Sequence, residues 1–184
     1  RYFCIPGEKF SALGRELIIR NISDQNISVD ILDGLPFIMP YGLTERLTKD
    51  MSHTIQAWMH VVNLENNVPL YKLKVVVADK PLVTKVEKAN FYFSYHVEQD
   101  GRCELLKPIV DPRIVFGENM DLCVPFNFYN NSFSIPQTQV CEGITPSAMS
   151  YVRSDLRGHS EKNVFTLIGH SDMETAKAIK ERVV

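Results

Sequence analysis

Between Phe91 and Val97 the side chains alternate in a way that suits only an extended chain. Phe91, Phe93, Tyr95 and Val97 fall on one side, and Tyr92, Ser94 and His96 on the other, because successive Cβ atoms of a strand point to opposite faces. Aromatic residues in this number favour a pleated, half-buried surface. The same period recurs at Lys72–Val77, with Leu73, Val75 and Val77 on the inward face. Glu16–Ile22 and Ile27–Leu32 are two further strand candidates, and the polar Ser23-Asp24-Gln25-Asn26 between them has the chemistry of a hairpin turn. A second hairpin signal is Gln99-Asp100-Gly101-Arg102, since Asp-Gly accepts the positive φ angles of tight turns; it leads into Cys103–Leu106. Trp58–Leu64 reads as a strand that Asn66-Asn67-Val68-Pro69 turns toward Tyr71–Ala78, and Asn163–His170 reads as another. Short strands with frequent turn signals predict a mainly β fold, a large antiparallel β-sandwich rather than βαβ units.

Three segments depart from this pattern. Leu35–Gly42 is apolar but contains Pro36 and Pro40, which remove ladder donors, so it is expected as an ordered loop or edge. Asp111–Pro136, rich in Pro and Asn, is expected as a long surface excursion. At the C-terminus, Ser171-Asp172-Met173-Glu174 matches a capping box in which Ser171 caps and Glu174 reaches back. Ala176, Ile179 and Val183 follow at helical spacing. The expected organisation is a β-sandwich domain over residues 1–170 and the start of a helical linker over 171–184. A first residue Arg1 that is not Met, and a helix still running at Val184, read as a piece of a longer chain whose native N-terminus is not present.

Composition narrows the function classes. The 184 residues carry a net charge of −2, which gives no basic face for nucleic acid. No apolar run reaches the about 18 residues of a membrane span, and Glu8, Lys9 and Arg15 interrupt any signal-peptide pattern. A cytoplasmic location is expected. Cys4, Cys103, Cys123 and Cys141 show no metal-ligand spacing and are expected as free thiols packed as small hydrophobes. Asn21, Asn26 and Asn130 open glycosylation sequons, which matter only in a secretory setting.

The motif search finds no phosphate loop, dinucleotide fingerprint, zinc-protease helix or serine elbow. No catalytic residue, metal ligand or cofactor is assigned. His53 and His60 share a face only in a helix, and two ligands do not make the usual metal site. Four residues are candidates for sugar binding. Asp33 ends a strand before the Pro-bracketed loop, as a turn former or as a loop carboxylate. Tyr41 lies in that loop. Trp58, the single tryptophan, either stacks on a sugar or is buried in the core. His96 shares a strand face with Tyr92 and Ser94 that is either solvated or lines a concave site.

Leu17-Ile18-Ile19-Arg20-Asn21-Ile22-Ser23-Asp24, continuing through Val29-Asp30-Ile31-Leu32-Asp33-Gly34-Leu35-Pro36-Phe37-Ile38-Met39-Pro40-Tyr41-Gly42, resembles the N-terminal sandwich domain of cellobiose-phosphorylase-like proteins. So does Phe165-Thr166-Leu167-Ile168-Gly169-His170 followed by a charged helix. The resemblance implies a supersandwich related to galactose-mutarotase-like domains, with carbohydrate as ligand and a helical barrel of the same chain as partner. The barrel would supply the general acid, so no catalytic residue carries over to this segment. The resemblance further implies that the β-domain packs on the barrel, shapes the rim of its site and can take part in a homodimer. The Asp33–Gly42 loop departs from ordinary members, so hydrolysis or another sugar transfer is as open as phosphorolysis for the parent protein. Two other readings follow from the residues: a free-standing carbohydrate-binding module, and a mutarotase-like sugar epimerase with His96 as base and no nameable acid partner.

Overall fold

The structure is a computed structural model that describes residues 1–77, 81–97, 101–118, 121–130 and 133–183. Its elements are β1 (Tyr2–Cys4), β2 (Ser11–Arg20), β3 (Ile27–Leu35), α1 (Glu45–Met51), β4 (Met59–Val62), β5 (Leu70–Leu73), β6 (Lys88–Val97), β7 (Cys103–Leu105), β8 (Pro108–Ile109), the single turn α2 (Arg113–Phe116), β9 (Ala148–Leu156), β10 (Glu161–Asp172) and α3 (Met173–Val183). The larger sheet runs β1-β2-β10-β6-β5-β4, with β7 on the same edge of β6 as β5, and the smaller runs β3-β9-β8. All named strands pair antiparallel. The mainly β, antiparallel reading and the C-terminal helix therefore stand.

The expected hairpin between β2 and β3 does not form. β2 pairs with β10, from Ser11↔His170 to Arg20↔Glu161, and β3 pairs with β9, from Ile27↔Leu156 to Leu35↔Ala148. The turn Ser23–Asn26 crosses from one sheet to the other instead. A two-strand hairpin would bury one face poorly, whereas two crossings give both strands long partners. The segment 157–160 makes the parallel crossing from β9 to β10. Asn21, 3% exposed, latches the two crossings: its Nδ2 donates to the carbonyls of Gln25, Leu156 and Arg157 at 2.7, 3.2 and 3.0 Å. The Gln99–Arg102 turn lies partly outside the described residues, but β6 and β7 pair as expected, Val97 facing Cys103.

Both faces of β6 are covered. Phe91 and Phe93 pack with Leu70, Leu167, Phe10 and the α3 residues Ala176 and Ile179. On the other side Tyr92 packs with Tyr71, Val61, Ile38, Val110 and Ala148, and its hydroxyl donates to Ser150 Oγ of the smaller sheet at 2.9 Å. The face holding Tyr92, Ser94 and His96 is thus buried between sheets rather than solvated. The residues 171–184, expected to lead away as a linker, begin inside β10, and α3 lies on the larger sheet. Its cap also differs from the expected box. Ser171 is still inside β10, and Asp172, its last residue, accepts from the Thr175 amide through Oδ1 at 2.8 Å, because Ser171 is turned into the core.

Two boundaries shift for local reasons. Ser52–Trp58 is a 3₁₀ turn, so the strand expected over Trp58–Leu64 shortens to β4. Leu73, Val75 and Val77 remain more buried than Lys74 and Val76, although β5 ends at Leu73; Ala78 lies outside the described residues. In the described part of the excursion 111–136, Phe128, Phe133 and Ile135 cover the outer face of the smaller sheet at Met149 and Tyr151, while Phe126 and Tyr129 stay exposed.

Replacing Asn21 by Ala removes the donor that joins both crossings and leaves buried carbonyls unpaired. The expected loss is about 2 kcal/mol, read as a lower urea midpoint at unchanged slope; a loss under about 0.5 kcal/mol would place Asn21 among ordinary surface changes.

Candidate functional site

The Pro-bracketed loop is tied to the sandwich from several sides. Pro36 and Pro40 cannot donate, so the remaining polar groups of the loop fix it individually. The Ile38 amide donates to Pro146 O at 2.9 Å, the Tyr41 amide to Tyr71 O at 3.0 Å, and the Leu73 amide to Tyr41 O at 2.8 Å. Asn90 Nδ2 holds the Met39 carbonyl at 2.7 Å, and Asn90 Oδ1 lies 3.3 Å from His170 Nδ1. Tyr41 stacks on His170 with ring centroids 4.8 Å apart and planes at 25°. Ile38 is buried as a plug, while Phe37 and Met39 on either side are 47% and 41% exposed.

Behind this loop is a cleft of about 870 Å³ whose walls include Tyr41, Arg46, Asp50, Val76 and Asn90. Arg46 and Asp50 project from α1, where Arg46 Nε donates to Asp50 Oδ2 at 3.3 Å. Sequence reading missed this helix. Its signals were present: Thr44 caps it by accepting from the Leu47 amide at 3.2 Å, and Glu45–Lys49 and Arg46–Asp50 are i,i+4 charge pairs. In this cleft Tyr41 is already stacked on His170 and Asn90 engages Met39 and His170 through its carboxamide, so Arg46 and Asp50 form its charged wall.

The four sequence candidates do not converge. Tyr41 lines the cleft. Trp58 is half-buried and packs, as Tyr41 does, against the cluster of Ile55, Met59 and Leu73. Asp33 lies between the sheets and forms an ion pair with Arg15. Its Oδ2 accepts from Thr166 Oγ1 at 3.2 Å, and Thr166 Oγ1 is 3.2 Å from Ser94 Oγ. Burial pulls the Arg15 guanidinium down, and the hydrogen bond and charge of Asp33 outweigh it, leaving Arg15 above its ordinary value. Asp33 is therefore neither a turn former nor a loop carboxylate: β3 continues through Gly34 to Leu35, and the Asp33 side chain is 13% exposed. Gly34, at φ 127°, is required there because a Cβ would strike the Ala148 carbonyl.

His96, 5% exposed, is at the other end of β6. Residues 90 to 96 of β6 span about 20 Å, so His96 and the Tyr41–His170–Asn90 group belong to different places. Its Nε2 is 3.4 Å from Glu104 Oε2 across the β6–β7 pair. Glu104 comes beside His96 only through the hairpin register, which the sequence alone does not show.

Other polar groups serve the fold. Burial raises the Tyr71 phenol well above its ordinary value. Asp111 accepts from Arg113 Nε at 2.9 Å and Nη2 at 2.8 Å and anchors the excursion. Cys4 and Cys123 are exposed rather than packed, and Cys103 and Cys141 are half-buried; all four are free thiols. Asn21 of the first sequon is buried, whereas Asn26 and Asn130 are exposed; Asn131 and Ser132 lie outside the described residues. His53 sits in the 3₁₀ turn and His60 in β4. Among the described residues no group of three or more His, Cys, Asp or Glu side chains is placed to hold a metal ion, and no helix is long and apolar enough to cross a membrane. No family model and no curated protein matches this chain in sequence.

Asp33→Ala removes the carboxylate partner of a partly buried guanidinium. The expected cost is roughly 2 kcal/mol, below that of a fully buried pair because Arg15 reaches solvent. The double variant Arg15→Met/Asp33→Leu should recover most of it in chemical denaturation. A double-variant loss equal to the sum of the losses of Arg15→Met and Asp33→Leu made singly would show that the two side chains do not act as a pair.

Proposed function

We propose that this chain is a non-catalytic β-sandwich domain, of supersandwich type, in a carbohydrate-active protein similar to cellobiose phosphorylases, where it packs against a helical barrel and shapes the rim of the sugar site. The observation that carries this reading is the loop Leu35–Gly42. It is fastened at Ile38, Met39 and Tyr41 yet holds Leu35, Phe37 and Met39 outward, 38%, 47% and 41% exposed. A rigid loop that presents apolar side chains loses little entropy on docking, which is the property of an interaction surface rather than of a free edge. The four free thiols support a reducing, cytoplasmic setting.

The test is hydrogen exchange on the parent protein against the isolated chain. The amides of Phe37 and Met39 should exchange at least about tenfold more slowly in the parent. Equal exchange in the two would overturn docking through this loop.

A second reading, a carbohydrate-binding module, draws on the cleft with Tyr41, Arg46, Asp50 and Asn90. Titration of the isolated chain with cello-oligosaccharides separates the two. Micromolar binding that Tyr41→Ala abolishes would favour the module. Affinity no tighter than about millimolar, where association costs absorb the few contacts one open cleft can make, would favour the docking domain.

A further inference from the structure

A second cleft, of about 730 Å³, opens where β4, β5 and the start of α3 meet. Lys72 enters it from β5. Tyr71 packs toward the smaller sheet, so Lys72, one residue on, lies on the α3 face of the larger sheet. Met173, Glu174 and Lys177 stand against that face, and Lys72 is only 8% exposed. Alternation alone would have put this side chain in water.

The amine has an unusual setting. A lysine this buried ordinarily meets a carboxylate. Glu65, Glu87, Asp172 and Glu174 line the same cleft, but the Lys72 amine forms no ion pair or hydrogen bond with a described residue, and Asp172 is engaged by the Thr175 amide. Burial lowers the Lys72 pKa, and Lys85, a charge of the same sign, lowers it further. His60 faces Lys72 across the β4–β5 pair, and the Lys72 charge in turn helps to lower the His60 pKa. A partly desolvated amine at the mouth of a cleft beside a second cation is an arrangement that favours a nucleophilic lysine. The cleft is not an anion trap, since its four carboxylates outnumber Lys72, Lys85 and Lys177.

We propose that Lys72 is a reactive-amine site: its Nζ adds to the carbonyl carbon of a small aldehyde admitted by this cleft and holds it as an imine. The nitrogen lone pair forms the C–N bond while the C=O π pair moves to oxygen. That oxygen takes up a proton and the nitrogen gives one up, which yields the carbinolamine. Protonation of the new hydroxyl then expels one water as the C=N bond forms. Amine and aldehyde go in, imine and water come out, and no oxidant or reductant is consumed. Glu87 and Glu174 are the carboxylates on hand to relay the protons. This site shares no side chain with the Leu35–Gly42 loop, and it stands or falls independently of the carbohydrate reading.

The experiment is reductive trapping. The chain is treated with glyceraldehyde and sodium cyanoborohydride near neutral pH, and each lysine is followed by peptide mass mapping. Lys72 should be alkylated at least about fivefold faster than any other lysine. Labelling that instead follows exposure, with Lys72 among the slowest, would overturn the proposal. Lys72→Met keeps the stem with an apolar end, should retain the far-UV circular dichroism of the parent, and should lose the fast label; a fast label persisting in that variant would also overturn it. Lys85→Ala removes the neighbouring charge. It should slow the Lys72 reaction severalfold near neutral pH but leave it unchanged near pH 11, where an amine of ordinary pKa about 10.4 is already mostly neutral. An unchanged rate at both pH values would contradict the role given to Lys85.

Discussion

The side chains of β6 must be kept from water on both faces, and the layers of the molecule follow from that requirement. Phe91 and Phe93 point to one side and Tyr92 and Ser94 to the other, all of them buried. Full burial of each aromatic is worth about 2–3 kcal/mol, so neither face could stay solvated without a large loss. α3 and Phe10 cover one side, and the smaller sheet covers the other. β10, paired along β6 from Val164↔His96 to Asp172↔Lys88, inherits the same double burial at Leu167 and Thr166. The C-terminal helix is thus part of what keeps the sheet dry.

Polar groups between the sheets set the alignment that hydrophobic burial leaves loose. Tyr92–Ser150 and Asp33–Thr166 each join one sheet to the other, and Arg15 adds an ion pair to Asp33. Each such bond contributes about 1 kcal/mol net, less than one buried aromatic. A displaced pairing, however, would strand buried charge and hydroxyls at a higher cost. Apolar area therefore holds the layers together, and this polar line selects one register of β3 against β10.

Period-two alternation was enough to find β2, β3, β6 and β10, because long strands with one clearly apolar face carry their own signal. It could not say which strands pair. Ser23–Asn26 has good turn chemistry, yet turn chemistry is equally good for a crossing between sheets; the choice rests on Asn21 reaching Leu156 and Arg157, far along the chain. β9 escaped notice since Ser150 and Ser154 put polar side chains on its inner face, where alternation looks for apolar ones. The burial of Lys72 and His96 was hidden for a related reason: alternation assigns one inner and one outer face, and a doubly covered sheet has no outer face at its centre. Among the candidate site residues, Tyr41 was legible through the proline bracket around it. Arg46, Asn90 and Glu104 were not, since each meets its neighbours only through α1, β6 or the β6–β7 register.

The topology also decides where chemistry can sit. Asn21 and the two crossings close one end of the sandwich, beside the Arg20↔Glu161 end of the β2–β10 ladder. At the opposite end the chain is free to elaborate: β3 releases the Leu35–Gly42 loop, β10 turns into α3, and β6 begins at Lys88. His170 and Asn90, paired in the last stretch of the β10–β6 ladder, brace Tyr41 there. Val86 is common to the walls of the Tyr41 cleft and the Lys72 cleft, so a movement of the strap before β6 would alter both. The loop and the amine are thereby placed at one rim on either side of one residue, the loop braced by the long β6–β10 ladder and the amine carried by the short β5 between β4 and β6.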